Sequence, residues 1–187
     1  MSGGTPGGGM NSQQIEQVIE RLGQDIAARA ATAGAADGLA IVGIRRGGVH
    51  LAARLRADLG RRLGQVPPLG TLDIALYRDD LAVRGAAPVV GPTDIRFPIE
   101  GRTVLLVDDV LYTGRTVRAA LDELVDFGRP RRVWLAVLVD RGGHELPITA
   151  DFAGATLAVP DGQDVQVKLR EDGAAEDAVI LTTRRGR

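Results

Sequence analysis

The sequence predicts an α/β fold with a mainly parallel, doubly wound sheet, and three observations predict it. Short continuous apolar runs at residues 39–44, 104–107 and 133–139 suit strands buried on both faces, as the central strands of a parallel sheet are. Segments with apolar residues at helical spacing alternate with these runs between residues 39 and 139. Two of the runs lead into glycine-bearing turns, Arg45-Arg46-Gly47-Gly48 and Thr113-Gly114-Arg115-Thr116, and each turn opens a helix. In open α/β sheets ligands bind beyond the carboxyl ends of the strands, so both turns lie where a site is expected.

A chain of 187 residues can bury one substantial core and is short for two domains of ordinary size. A single domain over residues 12–187 is expected, preceded by a Gly-rich tail over 1–11 that has no periodicity and should be disordered. The absence of cysteine excludes disulfides, cysteine metal sites and thiol nucleophiles, and suits a cytoplasmic protein. No apolar run approaches the ~20 residues of a membrane span, and no basic-then-apolar signal opens the chain, so no membrane association is expected. The formal net charge of −1 provides no global attraction to nucleic acid, and any RNA site must be a local patch. Lys168 is the only lysine; the dominance of arginine either serves phosphates or reflects the composition of the source genome.

In chain order, Asn11 or Ser12 caps a helix whose Ile15, Val18, Ile19, Leu22 and Ile26 share a face, running to about Ala33 before Gly34 and Gly38 break it. The strand at 39–44 and its glycine turn lead to an amphipathic helix ending near Leu59. A polar, Pro-containing link over 61–68 precedes an alternating strand at 69–77. Residues 81–100 carry Gly85, Pro88, Gly91, Pro92 and Pro98 and form a long irregular segment, a length typical of functional lids or disorder. The strand at 104 should end at Asp108, and the following helix places Val117, Leu121, Leu124 and Val125 on one face. Gly128 and Pro130 end that helix before a strand over 131–139, in which Trp134 belongs to the core or to an interface. Short strands are expected near 165–169 and 178–181.

The chemistry concentrates in residues 104–116. Asp108 and Asp109 end a buried strand, and adjacent side chains on an extended or turning backbone point in different directions, so each can accept a hydrogen bond from one of two neighbouring sugar hydroxyls. Thr113, Gly114, Arg115 and Thr116 offer hydroxyls and backbone N–H groups at a helix N-terminus, a setting that favours phosphate. A ribose 5-phosphate fits both halves. The loop at Arg45-Gly48 lets backbone approach a ligand closely and supplies arginines for a pyrophosphate.

These thirteen residues resemble the phosphoribosyl-pyrophosphate (PRPP) motif of type I phosphoribosyltransferases, and Tyr-Thr-Gly-Arg-Thr at 112–116 resembles the form in the pyrimidine-operon attenuation regulators, the PyrR family. Residues 72–81 and 140–148 resemble two further PyrR segments, and the resemblance spans about 14–181. It implies the type I phosphoribosyltransferase fold, a flexible loop at about 81–100 and a small hood at about 140–181. It further implies PRPP held by Asp108, Asp109 and residues Val110, Leu111, Tyr112, Thr113, Gly114, Arg115 and Thr116, with Arg45, Arg46 and Gly47 on the pyrophosphate. Mg²⁺ would arrive on PRPP; Arg78, Asp79 and Asp80 would open the flexible loop; and Arg141 and Val165 would lie by the base. The implied reaction converts uracil and PRPP to UMP and pyrophosphate. The second implied role is regulation of the pyr mRNA leader by UMP or UTP, in a dimer or higher homo-oligomer.

Two departures and one discriminating residue, Tyr112, qualify the resemblance. Arg46-Gly47 stands where PyrR chains generally carry Thr-Arg-Gly. Purine phosphoribosyltransferases with this motif carry Asp where this chain has Tyr112, which argues against a purine base. Basic or His positions expected on the RNA side are here Gln24, Gly143, His144, Thr149 and Ala155, although Arg131, Arg132, Arg184, Arg185 and Arg187 offer other cations. A phosphoribosyltransferase without RNA regulation is therefore the alternative. His144 has no carboxylate at a spacing that identifies a general base.

Overall fold

The structure, a computed structural model, describes residues 9–45, 47–74 and 93–183. Helix α1, Ser12–Thr32, starts at a capping box in which the Asn11 side chain accepts from the Gln14 N–H and the Gln14 side chain accepts from the Asn11 N–H, each at 2.9 Å. Strand β1, Leu39–Ile44, is buried throughout and leads to α2, Gly47–Leu63, one turn longer than its apolar spacing predicts. Strand β2 is Leu69–Leu72, β3 Thr103–Leu111, α3 Arg115–Leu124, β4 Arg132–Asp140 and β5 Phe152–Thr156. All five strands are parallel in the order β2-β1-β3-β4-β5. The chain leaves β1 toward one edge and β3 toward the other, which puts the switch point between them.

Alternation along β3 divides the core. Leu105 and Val107 pack with Leu22, Ile26, Leu51 and Leu55 under α1 and α2, whereas Val104 and Leu106 pack with Val117 and Leu124 under α3. Trp134 is 1% exposed, with the ring of Phe152 edge-on at 5.9 Å and the Arg29 guanidinium 5.0 Å from its ring centre, so it is a core residue.

A two-stranded antiparallel ribbon, β6 (Gln163–Lys168) and β7 (Ala178–Thr183), stands apart from the main sheet. It is tied to α2 where Arg54 hydrogen-bonds Glu171 and Asp177 and where His50 meets Asp172 at 3.1 Å. The Arg54 hydrogen bonds hold the Glu171 and Asp177 carboxyls below their ordinary range.

Several expectations need correction. The tail expected over 1–11 is ordered at its end: Met10 is buried and bridges Val179 through two backbone hydrogen bonds of 2.9 and 2.8 Å, while residues 1–8 lie outside the described residues. Strand β3 continues past Asp108, because Val110 and Leu111 still pair with Val139 and Asp140. Val125 is 64% exposed, since α3 gives way to a 3₁₀ turn over Val125–Phe127, and Ala120 and Glu123 fill the buried face instead. The segment expected as a flexible loop packs over 93–100: Asp94 bridges Thr71 and Ile99 is fully buried; its remainder, 81–92, lies outside the described residues, as do 75–77 of the strand expected at 69–77. Residues 152–156, within the segment expected to form the hood, become β5 at the sheet edge.

Candidate active site

The carboxyl ends of β1 and β3 face each other across the switch point. Asp108 is 5% exposed and its side chain accepts from the Asp109 N–H; the Asp109 side chain accepts from the Val110 N–H, both at 2.9 Å. Burial pushes the Asp109 carboxyl above its ordinary range, and Asp172 adds to the push, against opposing hydrogen bonds with Asp108 and Val110. A nearby cation would favour its charged form.

The turn after β1 lies directly against this acid pair. A Cβ on Gly47 would collide with the Asp109 carboxylate, and one on Gly48 with the Val107 carbonyl, so only glycine permits the approach. Arg45 donates its backbone N–H to the Leu72 carbonyl at 2.8 Å, and its Nε is buried without a hydrogen-bond partner. Arg46, Arg78, Asp79 and Asp80 lie outside the described residues.

On the other side of β3, the turn passes through Gly114 at φ 88°, a left-handed conformation suited to glycine, into α3, whose N-terminus has no side-chain cap. The Arg115 N–H donates to the Thr113 hydroxyl at 3.3 Å, and the N–H groups that follow it in the first turn have no intrahelical acceptor and suit an anion. The Thr113 carbonyl accepts from Glu145 and Leu146 N–H groups at 3.0 and 3.1 Å, which fixes the turn against the segment after β4. The Arg115 guanidinium reaches out to Glu145 at 2.9 Å. Thr116 is half-buried in the first turn of α3.

Next to this turn, Arg141 is 8% exposed. Its backbone N–H donates to the Leu111 carbonyl at 3.1 Å, its guanidinium stacks 4.0 Å from the Tyr112 ring centre, and it reaches Asp164 and, at 3.2 Å, the Gln163 carbonyl on β6. Gly143, at φ 73°, lies under the Tyr112 ring, where a Cβ would stand 2.7 Å from Cε2. The Val165 N–H is already committed to the Asp164 side chain at 2.9 Å. His144 Nε2 lies 2.9 Å from an Asp140 carboxylate oxygen, a partner that sequence spacing alone did not single out.

The structure thus brings Arg45, Gly47, Asp108 and Asp109 to one crevice, with residues 110–116 continuing from it and Arg141 and Val165 beyond Tyr112. Asp164 and Gln163, which hold Arg141, carry no motif by which sequence reading could have found them. Among the described residues no group of three or more His, Cys, Asp or Glu is arranged to hold a metal, and no helix is long and apolar enough to cross a membrane.

The family model for the phosphoribosyl transferase domain matches residues 11–169. A protein of Roseiflexus sp. (strain RS-1) named Bifunctional protein PyrR is 52% identical over 93% of this chain and 94% of its own. A protein of the same name from Thermus thermophilus is 48% identical over 95% and 96%. Among solved structures, the hypoxanthine phosphoribosyltransferase of Trypanosoma cruzi superposes with a TM-score of 0.66 at 21% identity, covering 94% of this chain and 95% of that one, a likeness of fold alone. A type I phosphoribosyltransferase sheet and near-half identity along almost the whole chain together make this protein a member of the PyrR family of phosphoribosyltransferases.

Proposed function

We propose that this protein transfers the phosphoribosyl group of PRPP to uracil, giving UMP and pyrophosphate, and that it also regulates pyr expression by binding the mRNA leader when a uridine nucleotide occupies the same pocket. The observation that carries the reading is the acid pair of β3, Asp108 buried and Asp109 partly so, against the glycine turn of β1 at the switch point, in a chain about half identical to proteins named Bifunctional protein PyrR.

In this reading Asp108 and Asp109 accept the two ribose hydroxyls. Residues Val110 to Thr116 wrap the 5-phosphate with backbone N–H groups and the Thr113 and Thr116 hydroxyls. Arg45, Arg46 and Gly47 meet the pyrophosphate, and Arg141 and the backbone near Val165 meet the base. The bond from the anomeric carbon to pyrophosphate breaks, the carbon bonds to N1 of uracil, and the N1 proton is lost to solvent. The ring gains positive charge as the pyrophosphate leaves, and the carboxylate pair beside it favours that charge. The oxygen donors of Asp108 and Asp109 suit a hard divalent cation, and Mg²⁺ carried on PRPP would neutralise charge on the leaving group. Most of the acceleration comes from positioning, with no covalent intermediate.

The proposal extends to Arg78, Asp79, Asp80 and the segment to about 92 as the element that excludes water from the reacting carbon. It also extends to a single domain from about residue 10, a hood centred on β6 and β7, a cytoplasmic location and a homo-oligomer. Two measurements test the main reading. Asp108→Asn with Asp109→Asn should abolish uracil phosphoribosylation, and retained turnover would refute the ribose assignment. Leader RNA should bind with a steep salt dependence and more tightly with UMP; weak, UMP-independent binding beside robust UMP synthesis would leave the enzyme reading and remove the regulator.

A further inference from the structure

Two buried polar atoms on the base side have no hydrogen-bond partner: Arg141 Nε and Gln163 Oε1. They belong to residues already in contact, since Arg141 Nη2 donates to the Gln163 carbonyl at 3.2 Å. Arg141 is held in place on several sides. Nη1 is held by Asp164, the face of the guanidinium by Tyr112 and the backbone N–H by the Leu111 carbonyl. They fix the guanidinium, whose Nε–H is buried without an acceptor in a residue that is more than nine-tenths buried.

Gln163 shares the β6 face of Val165 and Val167, both of which pack on the core beside Val110, and β6 runs beside the end of β3. Its amide oxygen is therefore turned toward the body of the molecule. A buried acceptor left unmade costs free energy, so such an atom points to a ligand that completes it.

Resting on the uracil reading above, we infer that Gln163 is a specificity-determining residue for the base, its amide oxygen accepting N3–H while Arg141 Nε donates to the adjacent carbonyl oxygen. A donor beside an acceptor is the complement of the imide edge of uracil, which presents C=O beside N–H. Cytosine presents an amino group beside a bare ring nitrogen, so it meets donor with donor and acceptor with acceptor. Asp164 and Tyr112 are positioning residues that act through Arg141.

The test is calorimetric titration of the full chain with UMP, CMP and N3-methyl-UMP, for the native protein, Gln163→Leu and Gln163→Glu. Native protein should bind UMP about 10- to 100-fold more tightly than CMP or N3-methyl-UMP, the range expected for one unmade buried hydrogen bond. In Gln163→Leu the N3-methyl penalty should collapse to within about 3-fold while a reduced preference over CMP persists through Arg141 Nε, and in Gln163→Glu, which keeps an acceptor, the penalty for N3-methylation should return. Equal binding of UMP and N3-methyl-UMP by the native protein overturns the inference while the uracil reading stands. So does an N3-methyl penalty that persists undiminished in Gln163→Leu. Failure of the native protein to bind UMP, with binding of GMP instead, overturns both. The comparison of ligands on native protein needs no variant to fold.

Discussion

Gly43→Ala is the most direct probe of how the crevice is built. Gly43 lies within β1 beneath the start of α2, and an added Cβ would stand 2.8 Å from Val49 Cα, 2.9 Å from the Gly48 carbonyl oxygen and 3.0 Å from Ala52 Cβ. Carbon atoms settle at about 3.5–4.0 Å, so α2 must withdraw by roughly 0.5–1 Å. Two of the three contacts are backbone, and no side-chain rotation relieves them. Overpacking of this kind costs about 1–3 kcal/mol, and the reduced entropy of the unfolded chain offsets about 0.4–1. The net loss of about 1–2 kcal/mol corresponds to a fall in Tm of roughly 2–8 °C for a chain of this size. The larger effect falls on function, because α2 begins with the glycines that rest on Val107 and Asp109. A displacement near 1 Å at a positioning site costs about 10²-fold in rate. Differential scanning calorimetry and kcat/KM for PRPP measure the two effects. Gly38→Ala is the control, with nothing within 4 Å of the added methyl, and should leave turnover unchanged and melt no lower than the wild type. A Gly43→Ala protein that melts with the wild type and keeps its PRPP turnover would refute the close-approach argument.

Other expectations follow from buried or paired acids. Burial raises the Glu123 carboxyl, so the folded state holds its proton more tightly than the unfolded chain does, and stability falls as pH rises from the ordinary glutamate range through the raised value. Glu123→Gln should therefore raise Tm at neutral pH, with the gain vanishing below about pH 4 in a pH series of melts. Asp109→Asn removes a similar penalty: the unliganded protein should melt higher at neutral pH while PRPP turnover falls at least about 10²-fold, and a lower Tm would contradict the upward shift. Arg54→Met strips Glu171 and Asp177 of the partner that lowers their pKa values. The stability this pairing gives is present above the ordinary carboxylate range and lost as pH falls through the depressed values, so the variant and wild type should converge in acid. At neutral pH hydrogen exchange should show β6 and β7 opening more often in the variant.

The parts of the fold that were legible in the sequence are those whose signal is local. Strands β1, β3 and β4 are unbroken apolar runs, and the glycine turns that follow β1 and β3 state their own conformational needs. Strand β5 was hidden because Phe-Ala-Gly-Ala-Thr is short and built of small residues. Its Gly154 is required by the close approach of the Leu138 carbonyl and Val18, a reason visible only in three dimensions. The ends of elements were displaced for the same cause: pairing with β4 carried β3 past two carboxylates, and a 3₁₀ turn moved Val125 out to solvent. Asp108 and Asp109 could be identified because strand, acids and turn are contiguous. Arg141 required family resemblance, and the residues that hold it, Asp164 and Gln163, come from a ribbon more than twenty positions away.

The grip of Arg54 on Glu171 and Asp177 has a consequence for how ligands are felt. Helix α2 begins at the crevice, and the ribbon it grips carries the residues that steer Arg141. A ligand that settles the ribbon therefore also restrains the helix whose first turn faces the acid pair, and a ligand in the crevice restrains the ribbon in return. By reciprocity, whatever coupling this grip carries between the two ends of the pocket has the same strength whichever end fills first.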